Sequence, residues 1–163
     1  MPLHPVDSLN LENGAKLIFT PCPGSKEASL EESVLTLKQA GTSMLLTLMY
    51  DHEIAKNDIQ RLPNLCAEHD ITWLQLPILD DEAPSQEFEA QWALHKDAII
   101  NAINNQQTIA VHCKGGTGRT GLVIALILLA HGWPSDKIMQ QVQHIRPKAL
   151  KNTVQLNYFN SQL

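Results

Sequence analysis

Cysteine is scarce in this chain, basic charge is outnumbered, and no apolar run is long. Three cysteines in 163 residues, with no CxxC pair, exclude a disulfide framework, and no His/Cys cluster has zinc-ligand spacing. A reducing, cytoplasmic setting is expected, with neither metal nor cofactor. Twelve Lys and Arg against seventeen Asp and Glu give a formal charge of −5, which excludes a nucleic-acid surface built on net charge. Any anion has to be captured by a local pocket. The longest apolar stretch, "GLVIALILLA" at 121–130, is too short to span a bilayer and reads as a buried helix, so no membrane association is expected. "MPLHPVDSLN" at the start lacks a basic segment followed by an apolar core, and no signal peptide is expected. Internal repeats and low-complexity tracts are absent from the sequence. One well-buried domain over residues 1–163, acting as a monomer, is the simplest expectation for this length and apolar content.

What is present alternates between strand and helix patterns. "LNLENGAKLIFT" (9–20) places Asn13-Gly14 between two apolar runs and predicts a hairpin, closed by "PCPG". Ser29 and Glu32 predict a capping box for a helix that carries Leu30, Val34 and Leu37 on one face and ends before Gly41. "SMLLTLMY" (43–50) and "ITWLQLPI" (71–78) read as strands. Between them, 53–69 reads as helical, with Pro63 either interrupting the helix or lying in the first turn of a second one. A helix from Ser85 to Asn105 with Phe88, Trp92, Ile99 and Ala102 in one stripe, a strand at 108–112, the glycine loop, the apolar helix at 121–130, and helices at 135–145 and 152–162 complete the pattern. The fold class is α/β: one domain with a mainly parallel central sheet covered by helices on both faces. Ligands of such sheets bind beyond the carboxyl ends of the strands. The loops 79–84 and 113–118 both follow strands, so Asp80 or Asp81 can be a neighbour of Cys113 in space.

The loop after residue 112 is unusual. "His112-Cys113-Lys114-Gly115-Gly116-Thr117-Gly118-Arg119-Thr120" puts a cysteine straight after an apolar strand, then three glycines, an arginine and a long apolar helix. Gly115, Gly116 and Gly118 permit a curled backbone whose amides converge at a helix N-terminus, a cradle suited to phosphate. Cys113 stands at its base, where amides, helix dipole and Arg119 favour a thiolate. Arg119 offers a planar fork to two phosphoryl oxygens. Two other phosphate loops are excluded: the glycine-lysine pair of G-x-x-x-x-G-K-[ST] is missing, and although Gly116, Gly118 and Gly121 match G-x-G-x-x-G letter for letter, the loop begins with cysteine, unlike a dinucleotide fingerprint.

The stretch 112–120 matches H-C-x-x-G-x-x-R-[ST] and resembles the cysteine-dependent protein tyrosine and dual-specificity phosphatases. The similarity extends to their kinase-associated group through "TPCPGSK", "LPILDDEAPS" and "TVQLNYFNSQL". The resemblance implies a dual-specificity-phosphatase-like fold and a phosphocysteine intermediate on Cys113. It implies that Arg119 clamps the phosphate together with the backbone of Lys114, Gly115, Gly116, Thr117 and Gly118, and that Asp80 is the general acid with Asp81 as runner-up. Thr120 would assist the leaving sulfur, His112 would hold the loop, and Gln155 would orient water. The implied partner is a phosphorylated protein bearing phosphotyrosine, with phosphoserine and phosphothreonine accepted in the dual-specificity type. The rivals are a phosphoinositide phosphatase, an RNA 5′-triphosphatase, or a phosphate-dependent binding module. Against the second lysine of phosphoinositide-type loops, this chain has Thr117. A bland reading exists for each residue: buried cysteines are mostly apolar filler and loop aspartates mostly solvated charges. Filler does not account for the glycines, Arg119 and Thr120 at these offsets. Cys22 and Cys66 are read as inert by default, with pairing to Cys113 under oxidation as the alternative.

Overall fold

A computed structural model describes residues 3–163 of the chain. The first two strands, β1 (Asp7–Asn10) and β2 (Lys16–Thr20), form the hairpin. Gly14 takes φ +96° at its tip, and Asn13 braces the turn, its Oδ1 accepting from Ala15 N–H at 3.0 Å and its Nδ2 donating to the Ile103 carbonyl at 2.9 Å. Helix α1 (Leu30–Gln39) starts in the capping box of Ser29 and Glu32. Strand β3 (Thr42–Thr47) leads to two short helices, α2 (Asp51–Lys56) and α3 (Leu62–Glu68). Pro63 sits in the first turn of α3, where its missing N–H costs nothing, so of the two readings of 53–69 the second holds. Then follow β4 (Thr72–Gln75), α4 (Gln86–Asn104), β5 (Thr108–His112), α5 (Gly118–His131), α6 (Ser135–Ile145) and α7 (Thr153–Ser161). No helix among the described residues is long and apolar enough to cross a membrane.

The strands lie in the order β1-β2-β5-β3-β4; β1 runs antiparallel to β2 and every other pair is parallel. The period-2 alternation of side chains sorts the strands' residues into two cores. Leu17, Phe19, Met44, Leu46, Ile109 and Val111 face one core with α4, α5, α6 and α7. Ile18, Leu45 and Ala110 face the other with α1, α2 and α3. Ten of the fourteen α5 residues are buried, as befits a helix apolar on every side. At Gly121 a Cβ would stand 2.6 Å from the Ala149 Cβ, so α5 approaches the segment after α6 more closely than any other residue permits.

Both middle strands are shorter than the apolar patterns suggest. β3 ends at Thr47 rather than Tyr50, and β4 at Gln75 rather than Ile78. Leu48, Met49, Leu76 and Ile78 remain fully buried, which is why the pattern runs on. Their backbones no longer serve only the ladder: the Leu48 and Ile78 carbonyls turn toward a side chain that rises from α5.

Candidate active site

That side chain is Arg119, 1% exposed. Its Nη1 donates to Glu53 Oε1 at 2.7 Å, to the Ile78 carbonyl at 3.1 Å and to the Leu48 carbonyl at 3.3 Å, while Nη2 donates to Glu53 Oε2 at 2.9 Å. The bidentate pairing fixes the guanidinium plane as well as its position. Burial alone would lower the pKa of this group, but the Glu53 hydrogen bonds, with the charges of Cys113, Glu53 and Asp80 around it, outweigh that and raise it. Arg119 Nε is buried and finds no hydrogen-bond partner among the described residues. A buried guanidinium donor held in place but unsatisfied is a prepared site for an anion's oxygen.

Cys113 follows the last residue of β5 and is 3% exposed. Gly116 N–H points at its Sγ from 3.3 Å and Thr120 Oγ1 donates to it from 3.2 Å. Both are hydrogen-bond donors that meet the sulfur where it lies against the loop. Of the three glycines in the loop only Gly116 needs to be glycine for its backbone, correcting the expectation that all three share the task. It takes φ +77°, and a Cβ there would lie 2.7 Å from the Thr20 carbonyl carbon and oxygen. Gly118 already belongs to α5, and a Cβ on it would meet Gln155 Oε1 at 3.4 Å. Gly115 faces open space, and Thr117 N-caps α5 through its carbonyl, which accepts from Gly121 N–H at 2.8 Å. The Lys114 ammonium reaches to Asn57 Oδ1 at 2.5 Å, and the Lys114 carbonyl accepts from Cys22 N–H at 3.0 Å.

His112 is fully buried beneath the loop. Its Nδ1 lies 3.0 Å from the Cys113 carbonyl and its Nε2 2.8 Å from Thr47 Oγ1, which in turn accepts from Trp73 Nε1 at 2.8 Å. The donors order the chain: Trp73 N–H can only donate and the Cys113 carbonyl can only accept, so Thr47 donates to Nε2 and Nδ1 carries the proton. Burial pushes the His112 pKa down to about 4, leaving a neutral ring that anchors the loop.

The two acid candidates separate. Asp80 Oδ1 lies 3.5 Å from Arg119 Nη2 on a side chain 70% exposed. Asp81 takes φ +61°, and its carbonyl accepts from Asn152 Nδ2 at 3.4 Å. Gln155, in the first turn of α7, is buried against Gly118. The sequence-predicted residues 112–120, Asp80 and Gln155 are therefore gathered at the carboxyl edge of the sheet. Burial raises the Cys22 thiol to about 11 and the Cys66 thiol to about 12, in keeping with their default reading as unreactive cysteines.

Sequence reasoning passed over Glu53 and Arg146. Glu53 follows β3 on the same edge as the other two loops, so an acid there was discoverable from topology. Arg146 left no such signal. From the break after α6 it donates through Nε to the Gly116 carbonyl at 3.0 Å, through Nη1 to Asp7 Oδ2 at 2.8 Å, and lies over the Phe19 ring. It thereby ties the loop to β2 and to the N-terminal strand.

Comparison with known proteins agrees with this geometry. The family described as "Tc-R-P: Polymorphic toxin system, DSP-PTPase phosphatase" matches residues 22–133. Cyclin-dependent kinase inhibitor 3 of Rattus norvegicus is 28% identical over 123 residues, covering 73% of this chain and 55% of that protein. The chain spans between 38% and 55% of the length of the curated relatives it matches. Among solved structures, kinase associated phosphatase with its catalytic cysteine changed to serine superposes with a TM-score of 0.86 at 20% identity, covering 99% of this chain and 95% of that one. Human DUSP28 gives 0.67 at 18%, covering 99% and 93%.

Proposed function

The chain belongs to the DSP-PTPase phosphatase family, and from that premise we propose that it is a cysteine-dependent phosphatase of phosphoproteins, working through a phosphocysteine intermediate on Cys113. The observation that carries the reading is a buried Cys113 sulfur that takes the Gly116 N–H and the Thr120 hydroxyl, in the same stretch of chain as a buried Arg119 whose Nε has no partner among the described residues. A tetrahedral dianion seated there would receive the Arg119 donors and the loop amides, with phosphorus facing the sulfur.

In the first step the Cys113 thiolate attacks phosphorus as the bond to the leaving oxygen breaks. The electron pair departs on that oxygen, which takes a proton from the Asp80 carboxyl. In the second step Asp80 removes a proton from water as the water oxygen attacks phosphorus and the phosphorus–sulfur bond breaks. The sulfur leaves as thiolate, accepting from Thr120 Oγ1–H. Arg119 Nη2 within 3.5 Å of Asp80 supports Asp80 over Asp81, because the acid has to stand beside the phosphoryl group that the arginine holds. Gln155, buried against the loop, serves to orient the water. The same donors serve ground state and transition state only if the guanidinium stays fixed, which is the work of Glu53 and the two carbonyls.

The test is turnover of phosphotyrosine, phosphothreonine and phosphoserine peptides beside a phosphoinositide, with EDTA present. Phosphopeptide hydrolysis that Cys113→Ser abolishes while peptide affinity is retained is expected. Binding without turnover in the wild type would make the chain a binding module, and turnover of the lipid alone would overturn the protein substrate.

A further inference from the structure

A second concavity opens on the outer side of β4, the edge strand of the sheet. Its volume is about 750 Å³. It begins at the carboxyl edge with Tyr50, Asp51 and Pro77, and runs down β4 and α4 past Glu87 and Ala90 to Trp73 and His95. Its lining among the described residues holds the Asp51 and Glu87 carboxylates and the rings of Tyr50 and Trp73, and neither lysine nor arginine. Both carboxylates are held in place. Asp51 Oδ1 accepts from Gln75 Nε2 at 3.0 Å, and Glu87 Oε2 accepts at 2.6 Å from the Ser85 hydroxyl, which also lies 3.1 Å from Tyr50 Oη. The Tyr50–Ser85 contact ties the groove's mouth to the loop that carries Asp80.

We propose that this groove binds the stretch of a phosphoprotein flanking the phosphorylated residue, in extended form, with a lysine or arginine side chain seated between Asp51 and Glu87. The inference rests on the phosphoprotein reading above. Carboxylates and electron-rich ring faces together suit a guanidinium or ammonium and reject an acidic chain. Among the described residues β4 pairs only with β3, and the Leu76 N–H bonds inward to the Thr47 carbonyl. The alternate residues Trp73 and Gln75 therefore turn their backbone groups outward, where an extended peptide can pair with them. The distance fits. β4 lies two strands from β5, hence about 10 Å from the line of Cys113, a span of about three residues of extended chain.

The experiment compares phosphotyrosine peptides that differ only in carrying two arginines or two glutamates, three and four residues from the phosphotyrosine, on either side. The arginine peptide of one side is expected to show a kcat/KM about five- to tenfold above its glutamate twin. That preference is expected to disappear in Asp51→Asn/Glu87→Gln and in Ala90→Arg, which fills the groove from exposed surface, with hydrolysis of a small aryl phosphate unchanged in both. Equal rates for all flanks, or a preference that survives both variants, would overturn the inference while leaving the phosphoprotein reading intact. Aryl phosphate turnover with no peptide hydrolysed would overturn both. A concentration-dependent dimer in sedimentation that Ala90→Arg dissolves would give the groove to a second copy instead.

Discussion

Glu53 is the residue on which the account depends most and which has no part in the chemistry. Its carboxylate makes two charge-assisted bonds to a guanidinium that is 1% exposed. Removing one partner of a buried pair costs about 3–5 kcal/mol. The Leu48 and Ile78 carbonyls and Asp80 stay with Arg119, so Glu53→Ala belongs near the lower end, about 3 kcal/mol. Glu53→Gln keeps one acceptor and the side-chain length, and a loss of about 1.5 kcal/mol is expected for the charged bond it cannot make. Catalysis should suffer more than stability, because a reacting group misplaced by about 1 Å costs on the order of 100-fold. Steady-state hydrolysis of an aryl phosphate, inhibition by inorganic phosphate and urea unfolding at pH 7 read these effects separately. For Glu53→Ala we expect kcat down about 100-fold and a weakened phosphate inhibition, with Glu53→Gln between it and the wild type. Unchanged kcat and phosphate affinity beside a lowered urea midpoint would refute the reasoning, since Glu53 would then hold the fold and not the arginine.

Other consequences are as definite. His112 is neutral in the folded state down to about pH 4, whereas a free histidine titrates near 6.5; the unfolded chain therefore binds the extra proton, and stability present above about pH 6.5 is lost as pH falls toward 4, by about 3 kcal/mol in full. Urea unfolding from pH 7 to 4.5 should show that slope in the wild type and a shallower one in His112→Asn. Gly116→Ala combines a left-handed φ with a Cβ 2.7 Å from the Thr20 backbone; kcat should fall at least about 100-fold, and wild-type kinetics would mean that the loop is not held at this point. Asp80→Asn should lower kcat about 100-fold or more on an alkyl phosphate and much less on a substrate with a good leaving group, while Asp81→Asn stays within about threefold. A reversal of that order would move the acid to Asp81.

The extent to which the sequence disclosed the site follows from where each residue's information lies. Cys113, Gly116, Arg119 and Thr120 lie in one short stretch of chain and each answers to a separate demand, so their spacing was readable. The capping box at Ser29, the glycine after α1 and the apolar α5 are local signals of the same kind. The ends of β3 and β4 were not readable, because Leu48 and Ile78 stay buried while their carbonyls also accept from Arg119. Hydropathy reports burial and not where a carbonyl points. Glu53, Thr47, Trp73 and Arg146 act on the loop from other elements, so their roles exist only once the strand order is known.

The central claim is that Cys113 sulfur bonds to phosphorus during turnover. Acid quench of the wild type during hydrolysis of a phosphopeptide, followed by proteolysis and mass spectrometry, locates the phosphoryl group. The account predicts it on the peptide bearing Cys113, absent from Cys113→Ser. Turnover with no phosphorylated enzyme at any time, or with the phosphoryl group on another residue, would contradict it.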